Sequence, residues 1–377
     1  MNLNLVLWSG LGLFVMALSA FGGWIVSLPM PVASLPPPIA AEENQATLAA
    51  LKPPKRERPL VAIIGINDGI ETTDYLMPTG IMRRANVADV VMLATGPGPV
   101  QLYPALKVQP DTTVSEFDAA HPEGADYVVV PAMRRDDDPA ALEWIRGQAS
   151  KGAIIIGVCA GAKVVGAAGL LDGRRATTHW YYLREMLKRS PTITYVADRR
   201  LVSDDGVTTT TGITASMPMM LTLIEAIAGR AKAQSVARDL GLEQWDARHA
   251  SSAFKLTRPF ATTVVLNRMV FWIHEDLGVR LQPGMDEVSL ALVSDAWSRT
   301  YRSNAATFAT SLEPVETRNG VRVIPDRVAS NWPEGLRLAT FADSKPATAL
   351  DRTLQAITAR YGERTTNVVA MQLEYPR

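Results

Sequence analysis

The chain has 377 residues, 47% of them hydrophobic, with 25 Pro, 26 Gly and a single Cys. That length suits two domains with sizeable cores, and one Cys excludes an intramolecular disulfide and a thiolate-rich zinc site. Lys plus Arg and Asp plus Glu both number 38, so no charge excess points to nucleic acid as a partner.

From Leu3 to Leu28 the chain is almost wholly apolar, and its first charged side chain is Glu42. About 20 apolar residues cross a bilayer as a helix, and Trp8 and Trp24 would sit in its two interfaces. Residues 1–30 are therefore expected to form a single-pass membrane anchor. The rival, a cleaved secretory signal, lacks the basic start such signals carry. Lys52, Lys55, Arg56 and Arg58 come after the span, which places the rest of the chain on the cytoplasmic side. Residues 31–58 are Pro-rich and read as a semi-rigid linker.

Leu60–Ile66 is a continuous apolar run of the kind found in strands buried on both faces. The segment around Asp74–Asn86 reads as a helix, with Pro78 tolerable only near its start. "VADVVMLATG" and "ADYVVVPA" give two further strands. "DPAALEWIRGQASKG" reads as a helix with Asp138 as N-cap, Pro139 in the first turn and Gly152 as its stop. "AIIIGV" is a fourth strand. Alternation at this spacing predicts a parallel sheet with helices on both faces, an α/β fold.

The fourth strand runs into Gly157-Val158-Cys159-Ala160-Gly161. A G-x-nucleophile-x-G sequence makes a sharp strand-to-helix turn, with a strained central residue and small neighbours. Cys159 would then project at the carboxyl end of the sheet, where open α/β folds bind ligands. The amides of Ala160 and Gly161, opening the next helix, would favour a thiolate or hold an oxyanion. The rival is a buried, inert Cys. After the turn comes "AAGLLDGRRATTHW", which closes the helix, turns at Asp-Gly and starts a short strand ending at His179-Trp180.

This segment resembles the ThiJ/PfpI family of the class I glutamine amidotransferase-like superfamily. Within it, the pattern is similar to the sensor domains of AraC-type regulators and to isonitrile hydratases. The resemblance covers residues 58–253 and implies a flavodoxin-like parallel sheet with Cys159 on a nucleophile elbow. It also implies that an acid four residues before a Pro meets the Cys; here that is Asp74, ahead of Pro78. Family peptidases place a His directly after the Cys, whereas Ala160 stands here, so no peptidase dyad is expected. Gly157 and His179 are candidate pocket residues, His179 being read first as a structural, hydrogen-bonded histidine. Relatives commonly form homodimers, so a homodimer is expected. The implied chemistry needs no cofactor or metal.

Residues 254–287, with apolar residues at helical spacing, are expected to be a helical connector. Residues 288–377 echo the first domain and read as a degenerate partial repeat. Val288–Ala296 mimics the first strand, and Pro333-Glu334-Gly335 repeats Pro122-Glu123-Gly124. "TTNVVAMQLEYPR" stands where the Cys strand stood. No helix-turn-helix array is visible, which argues against direct DNA binding. Two functional readings remain. One is a membrane-anchored hydratase or hydrolase of a small C–N compound, using Cys159 and Asp74. The other is a non-catalytic small-molecule or redox sensor.

Overall fold

The computed structural model describes the backbone of residues 3–339 and 344–375, with side chains from Val15 onward except Phe271. A seven-stranded sheet forms the centre. Its strands are β1 (Leu60–Gly65), β2 (Asp89–Ala94), β3 (Thr112–Thr113), β4 (Tyr127–Val130), β5 (Ile154–Gly157), β6 (Leu201–Asp204) and β7 (Val207–Thr210). The order is β6-β7-β5-β4-β1-β2-β3, parallel throughout except for the β6–β7 hairpin. The apolar runs of β1, β4 and β5 are buried along their whole length. Helices cover the sheet, as the alternating pattern requires. The chain therefore has the flavodoxin-like α/β fold.

The N-terminal helix α1 is Leu3–Ser27; the helices about the sheet include α2 (Thr72–Ala85), α3 (Pro139–Ser150), α4 (Gly161–Ala167) and α5 (Ser216–Ala228). The N-cap of α3 is Asp138, whose carboxylate accepts from the Ala141 amide at 3.0 Å, with Pro139 in the first turn. Pro78 lies in the middle of α2 rather than near its start. The C-terminal region adds α6 (Arg258–Met269), α7 (Glu287–Ser298), α8 (Pro346–Tyr361) and α9 (Glu363–Leu373). It also adds a second parallel sheet of β8 (Glu275–Arg280), β9 (Ser303–Ala309) and β10 (Arg327–Val328), in that order. Helix α7 lies across α2, so the two regions share one hydrophobic core.

Three expectations change. Val288–Ala296 is helix α7, not a strand. Its apolar residues bury most of the helix surface between β9, α2 and α8, so an all-round apolar run was read as a strand. Glu275–Arg280, placed in a helical connector, is strand β8, and the last segment is helix α9. The third change concerns the anchor. Among the described residues no helix is long and apolar enough to cross a membrane. Part of the expected anchor lies outside the described side chains. The end of α1 instead packs beside α6, and Arg258 donates to the carbonyls of Val26 and Pro29, the latter at 2.9 Å. The lack of a spanning helix among the described residues overturns the expected membrane anchoring, the membrane partner and the membrane location with its cytoplasmic orientation.

Candidate active site at the cysteine elbow

Strand β5 delivers the chain to Cys159, whose φ of 55° puts a non-glycine residue in the left-handed region. Such a conformation costs about 1–3 kcal/mol and persists only where its surroundings enforce it. They do so here from three sides. The Cys159 amide donates to Thr210 Oγ1 at 3.0 Å, and Thr178 Oγ1 donates to the Cys159 carbonyl at 3.0 Å. The Val158 amide donates to the Val130 carbonyl at 3.0 Å. Gly161 is obligatory, because a Cβ there would run into the Val130 carbonyl oxygen. At Gly157 a Cβ would press to 3.1 Å against the Ala162 backbone.

The acid side of the site comes from the start of α2. Glu71 caps that helix, its Oε2 accepting from the Asp74 amide at 2.7 Å and from Thr73 Oγ1 at 2.7 Å. Asp74 Oδ2 accepts from the Ala132 amide at 3.1 Å, while Oδ1 has no hydrogen-bond partner. Glu71 Oε1 also accepts from the Arg299 guanidinium at 2.7 Å, and Arg299 Nε donates to Asp295 at 2.6 Å. Both these residues lie on or next to α7. Three buried carboxyls thus surround one guanidinium.

Burial governs how these groups titrate. It pushes Asp74 up to about 7, against the pull of the Ala132 amide and Arg299. It pushes Glu71 up to about 6, with the charge of Asp74 adding to the effect and Arg299 opposing it. Burial likewise raises Asp295 well above the carboxylate range. The Cys159 thiol is also raised, first by burial and then by the charges of Asp74 and Glu71, with the Ala160 amide pulling the other way. The expected thiolate-favouring helix start is therefore outweighed. Helix α4 is a single short stretch, and Gly161 spends its amide on the Val158 carbonyl at 2.7 Å. Ala160 keeps an amide on the sulfur; Gly161 has none to give an oxyanion.

A cavity of about 430 Å³ opens beside the elbow, lined by Tyr103, Ala160, Lys163, Tyr182 and Arg134 among others. Cys159 sits behind this wall, 4% exposed. Tyr103 and Tyr182 are near enough that the charge of Cys159 raises the titration of both phenols, on top of burial. Lys163 lies over the Tyr182 ring at 4.8 Å and pairs with Asp136 at 2.6 Å and Glu185 at 3.1 Å. The entrance is thus charged and polar, suited to a small polar molecule.

His179 stands apart from this chemistry. Its Nδ1 accepts from the Tyr181 amide at 3.2 Å, which requires the proton on Nε2, and Nε2 donates to the Gln372 carbonyl at 2.9 Å. Burial lowers its pKa. Both ring nitrogens are occupied in a neutral ring, so no lone pair is left for the sulfur. Sequence reasoning named Cys159, Asp74 and Ala160, and the charge of Asp74 acts on the thiol, but it missed Glu71, Asp295 and Arg299. Glu71 carried a signal, an acid three residues before Asp74 at a helix start. Arg299 and Asp295 are 4 apart in sequence, yet nothing local ties them to residue 71. Among the described residues no group of His, Cys, Asp and Glu could hold a metal ion.

Comparison with known proteins agrees with this architecture. The model of the DJ-1/PfpI family matches residues 61–226. The chain is 38% identical over 143 residues to an isonitrile hydratase of Pseudomonas putida, covering 37% of this chain and 59% of that protein. It is 28% identical over 188 residues to a Parkinson disease protein 7 homolog of Danio rerio, covering 48% of this chain and 97% of that one. It is also 28% identical over 153 residues to the HTH-type transcriptional regulator CdhR of Pseudomonas aeruginosa, covering 41% of this chain and 44% of the regulator. The chain thus spans less than two thirds of the hydratase and of the regulator.

Proposed function

The chain belongs, through residues 61–226, to the DJ-1/PfpI family, and on that premise we propose that it is a cysteine-dependent hydratase or hydrolase of a small C–N compound. The observation that supports this most is the pairing of a strained, cavity-flanking Cys159 with Asp74, a carboxyl held near neutrality. An acid in that range exchanges protons at physiological pH, as general acid–base work requires. The thiol and carboxyl titrate as a unit. The similarity to an isonitrile hydratase suggests the substrate class.

With an isonitrile, the Cys159 thiol yields its proton to Asp74, and sulfur bonds to the terminal carbon as Asp74 delivers that proton to the same carbon. The product is a thioimidate. Water adds to its carbon, the C–S bond breaks, and sulfur regains a proton through Asp74. An N-substituted formamide leaves. The reading is tested by incubating the protein and its C159S variant with small isonitriles, nitriles and amides and following formamide or acid by NMR. Turnover by the native chain alone supports it; no turnover of any of the three classes overturns it.

The second reading is a non-catalytic sensor, favoured by the similarity to a transcriptional regulator. It predicts a ligand-dependent change in thermal midpoint without product.

A further inference from the structure

We infer that the C-terminal region is a built-in second copy of the face it covers, and that its Arg299 is a positioning residue for the Cys159 site. The inference rests on the Cys159–Asp74 chemistry proposed above.

The two regions trace one path at a nearly constant offset in numbering, the first strand pair differing by one residue in register and the Pro-Glu-Gly turns by four. Strand β1, helix α2 and strand β2 correspond to β8, α7 and β9. Both strand pairs are parallel, Leu60 aligning with Asp89 and Glu275 with Ser303. Each continues to a short third strand in the same register, Leu93 opposite Thr112 and Phe308 opposite Arg327. Each is fastened by the same device. The Asp111 amide donates to the Met92 carbonyl at 2.9 Å while its carboxylate accepts from the Met92 amide at 2.7 Å. Asp326 does the same with Thr307, at 3.1 and 2.8 Å. Both Pro-Glu-Gly turns end on a glycine of positive φ, 71° at Gly124 and 77° at Gly335.

The contacts between the two regions are reciprocal. Helix α2 caps with Glu71 and carries Arg84; α7 caps with Asp286 and leads into Arg299. Arg299 pairs with Glu71 and Arg84 pairs with Asp286. Val108 pairs antiparallel with Val323, its own counterpart. In such an isologous contact residue i meets j and j meets i, the signature of a two-fold axis. Here the axis relates two stretches of one chain. Only one half keeps the chemistry: Ser289 holds the position matching Asp74, and the chain beyond α8 enters helix α9 instead of an elbow strand. The retained half therefore takes its counter-ion from the other. Arg299, buried between Glu71 and Asp295, supplies a positive charge to the carboxyls that face the sulfur. With this α2 face covered internally, a homodimer would have to use another surface.

The experiment measures alkylation of Cys159 by iodoacetamide against pH in the full chain. Arg299→Met should move the midpoint upward by about one pH unit, the scale on which a close opposite charge acts. Arg84→Met breaks the symmetry-related pair, at the end facing Asp286, and should leave the midpoint unmoved. Arg299→Lys should restore most of the native profile. Equal shifts in R299M and R84M, or none in either, overturn the inference. If R299M does not fold, Glu71→Gln decides. Gln keeps the oxygen that caps α2 but removes its charge, so the midpoint should fall; an unchanged midpoint overturns the inference. A Cys159 that alkylates identically in every variant removes only this inference. One that alkylates at no pH removes the proposed chemistry as well.

Discussion

Residues 60–113 and 275–328 trace the same strand–helix–strand–strand path, hold it with the same Asp clasp, and differ in what they can do. In the first, α2 starts with Glu71 and Asp74, and the chain later returns through β5 to present Cys159. In the second, α7 offers Ser289 at the matched position, and no elbow comes after it. The shared frame lies in backbone pairing and apolar faces, which many side chains satisfy. The chemistry lies in a few buried polar groups, which few side chains can supply. A fold can thus be duplicated and kept while its site is lost from one copy.

The contrast is broken most sharply at the elbow. Cys159→Ser should abolish alkylation outright and reduce any turnover by at least ~10³-fold, with the circular dichroism spectrum unchanged. Gly161→Ala should cost about 3 kcal/mol, because its Cβ has nowhere to go against the Val130 carbonyl; urea unfolding measures this. Next comes the acid. Asp74→Asn should lower turnover by ~10²-fold while raising stability at pH 8 by on the order of 2 kcal/mol. The sign comes from Asp74 and Glu71 both titrating above their unfolded values. Between about pH 4 and pH 7 the folded state binds more protons than the unfolded one, so stability falls as pH rises. Urea midpoints across that window should show the slope, and D74N should flatten it.

The mirror experiment sharpens the comparison. Ser289→Asp places an acid at the matched position in α7, buried and without a thiol nearby. It should cost ~2 kcal/mol and leave the alkylation profile of Cys159 in place. The smallest effect belongs to His179→Gln, about 1 kcal/mol for its lost hydrogen bonds, again with the alkylation profile unchanged. A shifted profile in H179Q would return the histidine to the site.

Most of the first region was legible in the sequence. Strands β1, β4 and β5 are short apolar runs closed by turn residues, α3 carries its cap and its Pro, and the elbow announces itself by two glycines that have no room for a Cβ. The second region was misread because burial hid its period. Helix α7 is apolar on nearly every side, and a helix without a polar stripe resembles a buried strand. Strand β8, with Glu275, Asp276 and Arg280 in it, showed too little apolar character to be seen. The thiol was read from its helix terminus alone, without the two carboxyls and the burial that outweigh it. Arg299 was invisible because its partner is fixed by three-dimensional pairing. The apolar N-terminus shows the opposite failure: composition suggested a membrane span, and among the described residues no helix is long and apolar enough to be one.

One consequence of the Arg299–Glu71 pair concerns the order of synthesis. Domains assemble from the N-terminus as the ribosome releases them, and Cys159 emerges long before residue 299. Until the later stretch arrives, Glu71 and Asp74 have no counter-ion from α7 and remain open to water. Reactivity at the sulfur is therefore set only once α7 has formed, so a nascent chain carries the thiol in an untuned form.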